Sequence, residues 1–132
     1  MGFLKSKGLP MTSRLAKLRH SAFQSQAGLC FYCGLPMWES NPQAFAHALG
    51  LTLPQAHRLQ ATAEHLHARC DGGLDARDNI VAACRHCNQM RHESRKNPRD
   101  WKAYRRVVAT RMTAGAWFDR AMITRLWRAA MG

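Results

Sequence analysis

The stretch that decides the fold runs from Glu64-His65 through Asp71-Gly72-Gly73 and Asn79 to Cys84-Arg85-His86-Cys87-Asn88, with a second Cys-x-x-Cys pair upstream at Cys30 and Cys33. Two such pairs, separated by 50 residues, can close a tetrahedral four-thiolate site, because each brings two sulfurs to one metal from a tight turn. With Cys30, Cys33, Cys84 and Cys87 all bound, a zinc ion has no open position, so its expected task is to hold the fold. The competing readings are reduced core thiols or a redox pair. The second is disfavoured because two pairs occur and neither stands at the start of a βαβ unit. Cys70, the fifth cysteine, is left as a small buried or turn residue.

Working outward, residues 61–69 read as an extended strand, Asp71-Gly72-Gly73 as a turn, and residues 79–83 as the returning strand. A helix is expected from about Cys84, ending before Pro98 because the residue preceding a proline is pushed out of the helical region. Upstream, Leu15, Leu18, Ala22 and Phe23 recur at helical spacing between a Ser13 N-cap and a stop at Gly28. Cys30-Phe31-Tyr32-Cys33-Gly34 reads as a metal knuckle whose glycine lets the backbone curl. Residues 40–60 hold two brief helices, the first opened by Asn41-Pro42 and closed by Gly50, the second capped by Thr52. They resemble a helix-turn-helix only faintly and are read as an insertion. Asn97-Pro98 restarts a helix with Trp101, Tyr104, Val107 and Val108 on its apolar side, and a last helix after Gly115 carries Phe118, Met122, Leu126 and Trp127.

These elements predict one α+β domain over 1–132: a basic arm and helix (1–29), a zinc-stapled core (30–97, with a helical insertion at 40–60) and basic C-terminal helices (98–132). The hydrophobic share of 46% argues against disorder. No apolar run is long enough to span a bilayer, and no segment reads as a secretory leader. A cytoplasmic, nucleic-acid-associated protein with no membrane partner is the expectation, as monomer or homodimer. The net charge is +12, and its distribution matters more than its size. Residues 1–29 carry five basic and no acidic residues, 30–97 carry seven and six, and 98–132 carry eight and two. Positive charge thus flanks the presumed site, where it can grip a polyanion on both sides; the plainer reading is charge for solubility.

On the run Glu64-His65-x5-Asp71-Gly72-Gly73-x5-Asn79-Ile80-x3-Cys84-x2-Cys87-Asn88, the chain resembles the HNH endonucleases, the His-Me or ββα-metal nucleases, in their zinc-ribbon form with two Cys-x-x-Cys pairs. The resemblance covers roughly residues 30–92. It implies a small ββα-metal core in which His65 is the general base that deprotonates the attacking water, and an imidazole, with an ordinary pKa of about 6.5, suits that task. It further implies that Asn79 orients this histidine, and that Glu64 and Asn88 bind a catalytic divalent cation. Glu64 stands where the family commonly has Asp, and Asn88 where it often has His. Oxygen donors of this kind favour Mg2+ or Mn2+. The products would be a 5′ phosphate and a 3′ hydroxyl.

Several nearby residues carry weaker expectations. His92, one turn beyond Asn88, is a candidate further metal ligand or phosphate contact. His67 alternates in phase with His65 and would share its cleft, whereas His86 is expected to face solvent. Arg85, Arg91, Arg95 and Lys96 on the core helix, with Arg105, Arg106 and Arg111 beyond it, are candidate contacts to the nucleic-acid backbone. Trp101, Trp117 and Trp127 are expected in the core. The expected function is therefore a metal-dependent endonuclease acting on DNA phosphodiesters. The alternatives are a zinc-ribbon nucleic-acid-binding protein that cuts weakly or not at all, and an RNA-directed nuclease.

Overall fold

A computed structural model describes residues 9–131. The chain folds as α1 (Leu9–Ser25), α2 (Pro42–Leu49), α3 (Leu53–Arg58), β1 (Ala61–His65), β2 (Ile80–Cys84), α4 (Arg85–Glu93), α5 (Trp101–Thr113) and α6 (Arg120–Met131), with a 3-10 turn at Arg69–Asp71. This is a mixed helical fold around one small antiparallel sheet, as expected. Most of the expected basic arm (1–8) lies outside the described residues.

Local signals in the sequence set most of the boundaries. Asn41 caps α2 by accepting from the Ala44 amide, and its left-handed backbone (φ 58) is one that asparagine tolerates. Thr52 and Gln55 close a reciprocal capping box on α3. The Cys84 sulfur accepts from the Cys87 amide and so caps α4, while Asp100 caps α5 through the Ala103 amide. Helix α1 begins at Leu9, ahead of the expected Ser13 start. It ends through a pair of bonds, Gly28 N–H to Phe23 O and Ala27 N–H to Gln24 O, with Ala27 (φ 55) in the left-handed position. Helices α5 and α6 start later than their sequence cues, because Asp100 and Asp119 provide the caps that Asn97 and Gly115 do not.

The hairpin sets Ala61 opposite Cys84 and His65 opposite Ile80. The strand expected over 61–69 stops at His65. Beyond it the Leu66 amide still bonds Asn79 O, but the next partner is a side chain: Asn79 accepts from the His67 amide through Oδ1 (2.8 Å) and donates to His67 O through Nδ2 (3.1 Å). A carboxamide in place of a strand neighbour ends the ladder and lets the chain bend away. On the other edge, Gln26 bonds both the amide and the carbonyl of Ala82, and Phe31 adds its own amide to that carbonyl, so the edge of β2 is closed.

The core lies where the hairpin, the knuckle around Cys30 and Cys33, and the C-terminal helices meet. Leu35, Leu59, Tyr104, Val108 and Leu126 are fully buried there. Trp117 is buried and Trp101 half-buried, but Trp127 is exposed, contrary to expectation. His86 is half-buried with its ring against Trp117 and Phe118, also contrary to expectation; burial first, then the charge of Arg58, lowers its pKa. No helix among the described residues is long and apolar enough to cross a membrane.

Candidate active site

The four cysteines converge as their spacing predicts. Their sulfurs all lie within 4.8 Å of one another, and all four residues are buried. Cys33 Sγ and Cys84 Sγ stand 3.9 Å apart. Four thiolates at about 2.3 Å from a tetrahedral zinc would be about 3.8 Å from each other, so the donor set fits that ion. Backbone amides of Tyr32, Cys84 and Cys87 point at cluster sulfurs, and Trp117 Nε1 donates to Cys87 Sγ at 3.3 Å. Burial and the neighbouring Cys30 push the Cys84 and Cys87 thiols well up. Burial opposes ionisation of Cys30 too, but hydrogen bonds from Cys33, Cys84 and Cys87 draw its pKa well down. Such donors suit a cation that takes the place of their protons. Cys70 is exposed in the 3-10 turn.

Glu64 is the most buried charged side chain of the described residues, 1% exposed. Its Oε2 accepts from Tyr32 Oη (2.8 Å) and Arg91 Nη1 (2.8 Å), and its Oε1 faces His92 Nε2 at 2.9 Å. Burial, then the Glu64 charge, pushes the Tyr32 hydroxyl far up, so it remains a donor. Arg91 also donates to the carbonyls of His65 (3.0 Å), Leu66 (2.9 Å) and Arg99. This corrects the expectation that Arg91 grips phosphate: it is buried and welds α4 to the hairpin and to the knuckle. Its Nε has no partner.

Asn88 lies one turn back along α4. Its Nδ2 donates to Thr62 Oγ1 (3.1 Å) and Ala63 O (3.2 Å), so the carboxamide oxygen is what it retains for a cation. Of the two candidate ligands on α4, the one in contact with Glu64 is His92, 38% exposed, rather than Asn88. An imidazole nitrogen and a carboxylate oxygen 2.9 Å apart match adjacent corners of an octahedral site, about 3.0 Å apart for bonds of about 2.1 Å.

His65 points away from this pair. Its Nε2 meets Asp75 Oδ1 at 2.7 Å, and Arg69 Nη2 contacts both Asp75 oxygens, at 3.0 and 2.9 Å. These two hydrogen bonds, that of His65 first, hold the Asp75 carboxyl below the usual carboxylate range. Asn79 does not touch the His65 ring. It staples the loop that follows, reaching Leu74 O (3.0 Å) as well as His67, and presents its own carbonyl to Leu66, next to His65. The side chain of His67 is exposed beyond the end of the strand, so alternation does not carry it to His65. Asp75 and Tyr32 were not anticipated from the sequence. The only hint of Asp75 was a carboxylate two residues after a Gly-Gly turn, and Tyr32 had no signal beyond its place between two ligands.

A cleft of about 680 Å³ opens beside these groups, lined by Arg19, Thr62, Arg69, Asp75, Arg85 and Asn88 among others. Helix α1 forms its far wall. Arg85, Arg95, Lys96, Arg105 and Arg106 are exposed; Arg105 also lies over the Phe31 ring. Arg111 is half-buried, bonded to Asn97 and set over Trp117.

No curated protein and no solved structure matches the chain. The family model described as HNH endonuclease matches residues 52–94, the stretch that holds α3, both strands, the Asn79-stapled loop, α4 and two of the four cysteines. Over that stretch, about a third of the chain, the sequence is similar to the HNH endonucleases.

Proposed function

We propose that the protein is a metal-dependent endonuclease that hydrolyses DNA phosphodiester bonds. The observation that carries this reading is the match of residues 52–94 to the HNH model, which takes in the consecutive Glu64 and His65 at the end of β1 and the His92 that α4 brings to Glu64. His65 acts as the general base and takes a proton from the water that attacks phosphorus. Asn79 holds the loop after His65 so that the ring is presented in one orientation. Glu64 Oε1 and His92 Nε2, with the oxygen of Asn88, would hold Mg2+ or Mn2+. When bound, that ion supplies charge stabilisation at the leaving 3′ oxygen. Zinc in the four-cysteine site holds α4 and the knuckle in place.

Arg85 at the cleft and the exposed Arg95, Lys96, Arg105 and Arg106 would supply contacts to backbone phosphates. The burial of Glu64 against Arg91 and Tyr32 favours, as a second reading, a chain that binds nucleic acid and cuts it poorly. A plasmid-nicking assay with Mg2+ or Mn2+ added or withheld, run beside His65→Ala, separates the two. Metal-dependent nicking absent from the variant is the expected result. Retained DNA binding with no cleavage under either metal would replace the enzyme reading with the binding one.

A further inference from the structure

We propose that Asp75 is the positioning residue of the His65 base, fixing its tautomer so that Nδ1, and not Nε2, is the nitrogen that accepts the proton. This deepens the nuclease reading and rests on it. An ionised carboxylate can only accept hydrogen bonds. A neutral imidazole whose Nε2 lies 2.7 Å from Asp75 Oδ1 therefore carries its proton on Nε2 and keeps its lone pair on Nδ1. An aspartate carboxyl is ionised at neutral pH in any case, and the hydrogen bonds from His65 and Arg69 shift Asp75 further in that direction.

The position of Asp75 is over-determined, which separates this contact from a chance surface pair. Arg69 holds both carboxylate oxygens. Arg14 of α1 donates to the Asp75 backbone carbonyl through Nε (3.3 Å) and Nη2 (3.0 Å). Asn79 holds the adjacent Leu74 carbonyl. Three side chains thus converge on two consecutive residues of a loop, and one of them, Arg14 of α1, lies outside the segment that matches the family model. Asp75 lines the cleft with Arg69 and Asn88, and the His65 ring, 13% exposed, sits behind it. A ring held in this way loses little rotational freedom when substrate arrives.

The test uses the full chain with its zinc, comparing wild type with Asp75→Asn, Asp75→Ala and Asp75→Glu. Zinc content and circular dichroism establish that each variant is folded. Long-range 1H–15N spectra of the histidine rings should give His65 as the Nε2–H tautomer in the wild type. That preference should be lost in Asp75→Ala and turned over in Asp75→Asn, whose amide can donate to Nε2. In the nicking assay kcat should fall about 10- to 100-fold in both, the range for removing a group that orients a functional histidine. KM should change less than about twofold, since a positioning group acts on the reacting geometry more than on substrate affinity. Asp75→Glu should recover part of the rate. Wild-type cleavage alongside an equally active Asp75→Ala, or an unchanged His65 tautomer in that variant, overturns the role of Asp75 alone. A wild-type chain that cuts nothing, or a His65→Ala variant that cuts normally, overturns the nuclease reading and the proposal with it.

Discussion

Arg91 reorganises the site more than any other single residue. In the sequence it is one of four basic residues close together on the core helix, and such a run ordinarily marks a solvated or phosphate-facing surface. In the fold its guanidinium is buried against Glu64, the Tyr32 hydroxyl and three backbone carbonyls. Removing one member of a buried ion pair leaves the other uncompensated, at a cost of about 3–5 kcal/mol. Arg91→Met is therefore expected to lower the unfolding free energy by roughly 3 kcal/mol, read from urea denaturation at an unchanged m value. Adding Glu64→Gln should recover most of the loss. A fall of less than about 1 kcal/mol would mean that Arg91 is dispensable to the weld. The helix itself was legible, but the direction of each arginine was not. That direction depends on which face of α4 meets β1, and a nine-residue helix with few apolar positions carries little pattern to announce it.

Among the elements, the loop between β1 and β2 has the most to do and the least regular structure. Its turn was expected from Asp71-Gly72-Gly73, and Gly72 does adopt a positive φ of 92°. Gly73 has a different reason to be glycine: a Cβ there would stand 1.8 Å from the His67 carbonyl oxygen. Gly73→Ala must therefore move backbone, and should destabilise the fold by about 1–3 kcal/mol, as overpacking does. The damage should begin at the Asn79 staple, so the His67 amide is expected to lose its protection from hydrogen exchange. A protected His67 amide in a variant of unaltered melting temperature would refute this account. The turn could be read because glycine pairs punctuate a chain locally. The early end of β1 could not, because residues 61–69 show nothing that marks a side chain, Asn79, as the next ladder partner.

For the whole molecule, the four-cysteine cluster is the fastening between parts distant in sequence. Cys30 and Cys33 belong to the knuckle, Cys84 and Cys87 to the start of α4. Tyr104 of α5 donates to Cys87 O at 2.6 Å, and Trp117 covers Cys87 Sγ. A domain organised this way should depend on its metal. Chelation of the zinc, or Cys84→Ser, is expected to abolish the cooperative unfolding transition and the fixed near-ultraviolet signal of the buried Trp38 and Trp117. A metal-free protein that melts with the native transition would assign stability to the helical packing instead.

From the sequence by itself came what local chemistry determines: the metal-ligand spacing of the cysteines, the hairpin and its turn, the caps of the two short helices, and the HNH resemblance over residues now matched to that family. Each of these depends on residues close in the chain or on a spacing with one geometric solution. The tertiary structure alone decided that Glu64 faces His92 and Arg91, that Asn88 is set toward Thr62, and that Asp75 lies on His65. Those pairings join β1, the loop and α4. Each is a choice among several chemically equivalent partners, made by how the elements pack and by the need of every buried charge to be met.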